Sequence, residues 1–128
     1  MSNATAAYAI LCDLIRREDN NKLIAVGIYG SELNVGAFPA VLNLSILVRV
    51  VFPSAGPHSL KFRVSTNEIK HDFGIDIEAK IKGHDLIPLA FQPLIFQSPS
   101  KIDVMVEYKV NKWKNILSVP VLLNQSQL

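Results

Sequence analysis

The chain has 128 residues, of which 49% are hydrophobic and 19% are charged. This is the usual size of one domain, with enough apolar mass for a folded core and too little charge for intrinsic disorder. Thirteen Lys and Arg residues against eleven Asp and Glu give a net charge of +2, and because the basic residues are scattered rather than gathered in one stripe, nucleic-acid binding is not expected.

The first apolar segment, residues 6–17, fits two structures. Its apolar residues match a helical stripe, and Thr5 is a suitable helix cap. However, the Asp- and Asn-rich residues 18–21 and a plain strand over residues 22–29 follow it, which is the pattern of a hairpin. We expect a strand over residues 6–17, with a helical first turn as the alternative, and a further short strand around residues 33–35.

Alternation of apolar and polar residues with a period of two dominates the middle of the chain. Every even position from 42 to 52 is large and apolar, which predicts a strand with one buried face. The same alternation predicts strands over residues 59–65 and 74–82, with Ile81 on the buried face of the second. The polar residues 66–73 are expected to form the connection between them.

The last third of the chain contains the clearest hairpin. Residues 101–110 and 113–123 are expected to pair across a two-residue turn at Asn111-Lys112. Pro120 cannot donate to a sheet ladder, which favours an edge position for the second strand. Residues 124–128 form a polar tail.

Residues 86–96 are apolar on both faces and contain Pro88 and Pro93, which predicts an edge strand or two short pieces joined by a kink. In total, about eight strands and no clear helix predict a single all-β domain over residues 1–128. We expect a two-sheet antiparallel β-sandwich. A closed barrel is the alternative, and it is less favoured because the prolines mark edges that a barrel lacks.

Two His-Asp dipeptides, His71-Asp72 and His84-Asp85, are the strongest metal-ligand signal in the chain. They flank the predicted strand over residues 74–82, which spans roughly 25–30 Å at 3.3 Å per residue, so they are too far apart to share one ion. The chain has no nucleophile elbow, phosphate loop or dinucleotide motif. We therefore expect no enzymatic activity, no metal and no cofactor.

The single cysteine, Cys12, lies in an apolar run and is expected to be a buried thiol rather than a nucleophile. With one cysteine no internal disulfide forms, which favours a reducing compartment. The sequence shows no secretory leader pattern, and no apolar run is long enough to span a bilayer. We expect a cytoplasmic protein without a membrane partner.

Trp113 lies between Lys112 and Lys114 and fits two roles. A tryptophan flanked by lysines is typical of a stacking platform for a base or a sugar. A tryptophan at the start of a strand, just after a tight turn, is also typical of a side chain that covers the end of the core. We favour the core position.

A pattern of Cys-Asp-x-x-Arg-x-Glu, then Lys, then Gly-x-Tyr runs through the first apolar segment, and a Phe-Pro pair precedes the long strand. The residues that carry this pattern are Cys12, Asp13, Arg16, Glu18, Lys22, Gly27, Tyr29 and Phe38-Pro39. Together with residues 91–96, they resemble an uncharacterised family of small bacterial proteins. Asn21 stands where that family commonly has a glycine, so a different turn is expected there. The resemblance implies an all-β domain of immunoglobulin-like character with no known activity, and the sandwich that we expect is immunoglobulin-like or C2-like.

The expected function is a non-catalytic module for protein interaction or for self-association into a homo-oligomer. A sandwich exposes sheet edges and a broad face, and the candidate edges are residues 86–96 and 113–123. The first alternative is a domain that binds a small ligand through polar groups at one end. The candidate residues for that site are Asp13, Arg16, Tyr29 and Glu32.

A second alternative function is a structural component of a larger, phage-derived assembly, and no residue of the sequence distinguishes this role from that of an interaction module. For Asp13, Arg16 and Glu18, the simpler interpretation is a salt-bridged end of the first hairpin.

Overall fold

The computed structural model describes residues 4–124, and within them the chain forms strands without a helix. The strands are β1 (Thr5–Arg17), β2 (Leu23–Ile28), β3 (Leu33–Val35), β4 (Ala40–Leu42), β5 (Ser45–Phe52), β6 (Gly56–Ser65), β7 (Lys70–Ala79), β8 (Gly83–Ala90), β9 (Leu94–Phe96), β10 (Ser100–Lys109) and β11 (Lys112–Leu123). The all-β class is confirmed, and the segment of uncertain type, residues 6–17, is a strand.

The strands form three sheets. The four-stranded sheet has the order β2-β1-β5-β8, the five-stranded sheet has the order β3-β11-β10-β6-β7, and β4 pairs with β9 in a small third sheet. All neighbouring strands are antiparallel except β3 and β11, which are parallel. The expectation of a purely antiparallel arrangement is therefore wrong at this one short pairing.

The described residues contain eleven strands rather than about eight, because two predicted strands are divided and the short strand expected around residues 33–35 is present as β3. Both divisions occur at the same place. Ser45 and Ala90 are the last pair of β5 and β8 in the four-stranded sheet, and the chain then crosses into the small sheet formed by β4 and β9. Pro93 lies in one of these crossings, where its missing N–H costs no ladder hydrogen bond.

The core is built by the alternation seen in the sequence. The even positions of β5, including Ile46, Val48 and Val50, are fully buried. They belong to the same hydrophobic cluster as Phe62 and Ile102 of the five-stranded sheet, so both large sheets contribute one face to a common core.

β7 begins and ends earlier than the sequence pattern predicts. It pairs with β6 along its whole length, from Ser65 with Lys70 to Gly56 with Ala79. Ile81 therefore lies beyond the last pair and is 74% exposed, which makes its predicted burial wrong. The predicted connection over residues 66–73 shrinks to a tight turn because the Thr66 hydroxyl accepts hydrogen bonds from the N–H groups that follow it.

The predicted hairpin near the C-terminus is confirmed, with two corrections. Its turn lies at Val110-Asn111, one residue early, and Asn111 adopts a φ of 61°. β11 is not an outermost strand, because β3 pairs with its last three residues, just after Pro120. The edge position predicted for β8 is confirmed.

Only the first residue of the predicted polar tail, Asn124, lies within the described range. Its N–H donates a 2.7 Å hydrogen bond to the Val35 carbonyl. Residues 125–128 lie outside the described residues.

Candidate functional site

The first hairpin, formed by β1 and β2, extends beyond the end of the neighbouring strand β5. β5 begins at Ser45, opposite Cys12, so the rest of β1 pairs only with β2. We call residues 13–17 together with β2 the ribbon. A turn closes its tip, where the Glu18 N–H donates to the Lys22 carbonyl at 2.8 Å and Asn21 adopts a φ of 65°. Asparagine tolerates this left-handed conformation better than most residues do, so it serves in place of glycine there.

Asp13, Gly27 and Tyr29 meet at the base of the ribbon. The Tyr29 N–H donates a 2.9 Å hydrogen bond to the Leu11 carbonyl, and its hydroxyl donates to the Asp13 carboxylate. Asp13 lies across from Gly27, whose φ is +70°, and a Cβ at that glycine would lie 2.8 Å from Asp13 Cγ. Gly27 therefore leaves the space that the carboxylate occupies.

Burial and the charge of Asp13 raise the pKa values of Tyr29 and Cys12, so both groups hold their protons more strongly. Burial, the hydrogen bond to Asp13 and the negative charge of Asp13, in this order of size, together raise the pKa of Tyr29 from 10.0 to about 12. Burial also raises the pKa of the Cys12 thiol, and the charge of Asp13 adds to the effect. Cys12 is fully buried, and its Sγ lies 3.6 Å from the Ser45 carbonyl oxygen.

The other two candidate site residues do not join this pair. Arg16 lies three positions after Asp13 in the same strand, and the period of two places it on the opposite face. Glu32 precedes β3, where its carboxylate accepts a 3.4 Å hydrogen bond from Asn34. The structure thus brings Asp13 and Tyr29 together and leaves Arg16 and Glu32 apart from them.

The predicted salt-bridged hairpin end is also not formed. The ion pairs found among residues 4–124 join Arg63 to Asp72 at 2.7 Å and Lys101 to Asp103 at 3.3 Å, and neither involves Arg16.

The sequence reasoning missed an exposed apolar surface on the ribbon. Leu14 pairs with Val26 and Arg16 pairs with Ile24, so these side chains point to the same face, away from the core. We call its four large apolar residues the apolar patch. They are Leu14 (44% exposed), Ile24 (38%), Val26 (42%) and Ile28 (59%). The sequence did contain a sign of this surface: residues 10–15 and 23–28 carry apolar side chains at both odd and even positions, so both faces of the hairpin are apolar.

Trp113 does not cover the core. It pairs with Glu107 on the outer face of the five-stranded sheet, where the Arg63 guanidinium lies 4.0 Å and the Lys61 ammonium 5.8 Å from its ring centroid. Arg63 is held there by two hydrogen bonds to Asp72, of 2.7 and 3.0 Å. The indole face is therefore occupied by this chain's own cations.

The surface formed by residues 4–124 has open grooves, among them one of 1080 Å³ and one of 490 Å³. The larger lies beside β6, β7 and the β10–β11 turn, and the smaller lies between β7 and residues 90–94. Neither groove is lined by Asp13, Arg16, Tyr29 or Glu32. The four candidate residues are thus not gathered around either of them.

Residues 4–124 contain no group of three or more His, Cys, Asp or Glu side chains placed to hold a metal ion. Over the same range, no helix is long and apolar enough to cross a membrane.

Comparison with known proteins gives a family but no relative of known function. Searches of curated proteins and of solved structures find no match. The model of a family of unknown function, DUF6941, matches residues 7–114, which include most of β1, the ribbon and the start of β11. The resemblance to an uncharacterised family is confirmed, and the chain belongs to DUF6941, a family of unknown function.

Proposed function

We propose that this chain is a non-catalytic protein-interaction module that docks through the apolar patch on its ribbon. The observation that carries the proposal is the set of four large apolar side chains that lie side by side on one face and are 38–59% exposed. Contiguous exposed apolar surface with a polar surround is typical of protein interaction sites. Arg16 and the charged turn at residues 18–22 supply that surround.

The size of the patch limits how it binds. Complete burial of a Val, Leu or Ile side chain is worth about 1.5–3 kcal/mol, so burying four side chains that start half-exposed contributes roughly 4 kcal/mol. Association costs about 4–15 kcal/mol in lost translational and rotational freedom. Burial of the patch alone barely offsets the smallest cost of association. A partner must therefore add apolar surface of its own or backbone hydrogen bonds.

The chemistry at the base of the ribbon supports a non-catalytic role. Tyr29, with a pKa raised to about 12, keeps its proton at neutral pH, and the raised pKa of Cys12 keeps this thiol protonated and unreactive. The Asp13 carboxylate is already engaged as the acceptor of the Tyr29 hydroxyl.

We further propose that the two large sheets form a β-sandwich of immunoglobulin-like or C2-like type. The support is the single core to which both sheets contribute one face each. A cytoplasmic location is part of the same proposal, and the lone buried thiol of Cys12 supports it.

Site-specific photo-crosslinking in the cells that produce the chain tests the interaction role. A photoreactive amino acid replaces Val26 in the apolar patch, and in a matched control it replaces Val110, which is 84% exposed in the β10–β11 turn. We expect a discrete crosslinked protein from position 26 and none from position 110, with the crosslinked peptide of the partner identified by mass spectrometry. Equal crosslinking at both positions, or none at position 26, would overturn the proposal.

A further inference from the structure

The two large sheets have four outermost strands, and three of them carry features that block pairing with another chain. β8 contains Pro88, β3 is three residues long, and β7 alternates its apolar residues with charged ones. Proline, short length and charge are the ordinary devices by which sheet edges avoid pairing.

The fourth outermost strand, β2, carries none of these devices. Its six residues, Leu23–Ile28, include no charge and no proline. β1 covers one of its edges, and among the described residues the other edge has no strand beside it. An apolar strand with a free edge is the element most prone to pairing with another strand.

We propose that β2 pairs antiparallel with β2 of a second copy of this chain, joining the two four-stranded sheets into one continuous eight-stranded sheet. The inference rests on the proposed function, because it names the partner of the same ribbon. Such a contact is symmetric about a two-fold axis and uses the same strand twice, so it closes at two copies. It also adds the backbone hydrogen bonds that the apolar patch alone does not provide.

The charges around β2 favour the antiparallel direction. Arg16 and Arg17 pair with the first two residues of β2 and Lys22 precedes it, while Glu18 and Asp19 lie in the turn. Three cationic side chains against two acidic ones leave the start of β2 with a net positive charge. Asp13 lies across from Gly27, so the end of β2 is acidic. Antiparallel pairing brings the cationic start of each copy to the acidic end of the other, whereas parallel pairing would set like charges side by side.

Side-chain placement agrees with this arrangement. In an antiparallel pair related by a two-fold axis, the outer faces of the two sheets lie on the same side. Ile24, Val26 and Ile28 of one copy would then lie beside the same residues of the other, as cross-strand neighbours.

Light scattering coupled to size-exclusion chromatography, together with hydrogen exchange, tests the inference on the full chain. We expect a particle of twice the 14.2 kDa chain mass, with the amides of β2 protected from exchange. Val26→Lys places a charge on the free edge strand and is expected to give a monomer in which that protection falls by at least tenfold. Ile81→Lys, at an equally apolar but remote exposed position, should leave the dimer intact.

Two results would overturn the inference. One is a wild-type chain that remains a monomer at high concentration. The other is a dimer whose β2 amides exchange as fast as those of the Val26→Lys monomer, since the copies would then pair elsewhere. Circular dichroism checks that Val26→Lys is folded, and Ile28→Lys, at a more exposed site of the same strand, serves as a second variant.

These outcomes are distinguishable from failure of the proposed function. A monomeric chain that still crosslinks to a different protein from position 26 removes the self-pairing and retains the interaction module. A monomeric chain without any crosslink from that position removes both.

Discussion

The Tyr29 hydroxyl donates a hydrogen bond to the Asp13 carboxylate at the point where the first hairpin leaves the four-stranded sheet. The Tyr29 ring packs against the core, while Asp13 is exposed on the neighbouring strand. The contact therefore ties the base of the ribbon to the body of the domain. A two-stranded ribbon is marginally stable by itself, so a fixed base matters for any surface that it presents.

Gly27→Ala should destabilise the chain because the new Cβ would lie 2.8 Å from Asp13 Cγ and because φ is +70°. We expect a loss of about 1–2 kcal/mol in the free energy of unfolding, measured by urea denaturation. Gly30→Ala is the matched control, since within residues 4–124 no heavy atom beyond its two chain neighbours lies within 4 Å of its Cβ position. Equal effects of the two substitutions would contradict the packing of Asp13 over Gly27.

Tyr29 should make stability fall at alkaline pH. Its pKa is about 12 in the folded chain and 10.0 without the fold, so between these values the unfolded chain binds fewer protons. The stabilisation by protonated Tyr29 is thus complete below pH 10 and is lost as pH rises toward 12. Spectrophotometric titration of tyrosinate checks this: the wild-type chain should show a transition at about pH 12 that Tyr29→Phe removes. A transition at about pH 12 that persists in Tyr29→Phe would show that Tyr29 is not shielded.

Strand periodicity predicts much of this fold because burial follows it closely. Leu44, Ile46, Val48 and Phe52 are all buried, as their even positions require. The same rule also separates Asp13 from Arg16, which lie an odd number of positions apart in one strand. That part of the site was therefore predictable once residues 6–17 were assigned to a strand, since only a helix would have placed the two side chains together.

Trp113 shows that the hydrophobic pattern alone does not predict on which face of a sheet a side chain lies. A turn at residues 111–112 would pair Trp113 with Val110 and place the indole on the core face. The turn lies one residue earlier, and irregularities in the β10–β11 register pair Trp113 with Glu107 on the outer face. The irregularity between Glu107 and Lys109 shifts the register by one residue, which reverses the face of Trp113, and the hydrophobic pattern does not reveal where such an irregularity occurs.

Two isoleucines with similar sequence surroundings should differ sharply in their contribution to stability. Ile102 is completely buried between the sheets, whereas Ile81 is 74% exposed after the end of β7. Ile102→Ala is expected to lower the free energy of unfolding by about 2–5 kcal/mol through lost burial and an internal cavity. Ile81→Ala should change it by less than about 0.5 kcal/mol. Urea denaturation of the two variants measures both changes. Comparable losses in the free energy of unfolding would contradict the observed end of β7.

The contact between the Arg63 guanidinium and the Trp113 ring should be lost at acidic pH. The hydrogen bond from Arg63 holds the pKa of Asp72 below its ordinary value of 3.8, so the pair is intact above that value and is lost as pH falls through the lowered pKa. Because Trp113 is the single tryptophan, its fluorescence reports this change directly. Asp72→Asn should abolish the acid transition, whereas Asp76→Asn, on the same strand but bonded to Ser59, should retain it. An unchanged transition in Asp72→Asn would show that Asp72 does not position the guanidinium over the indole.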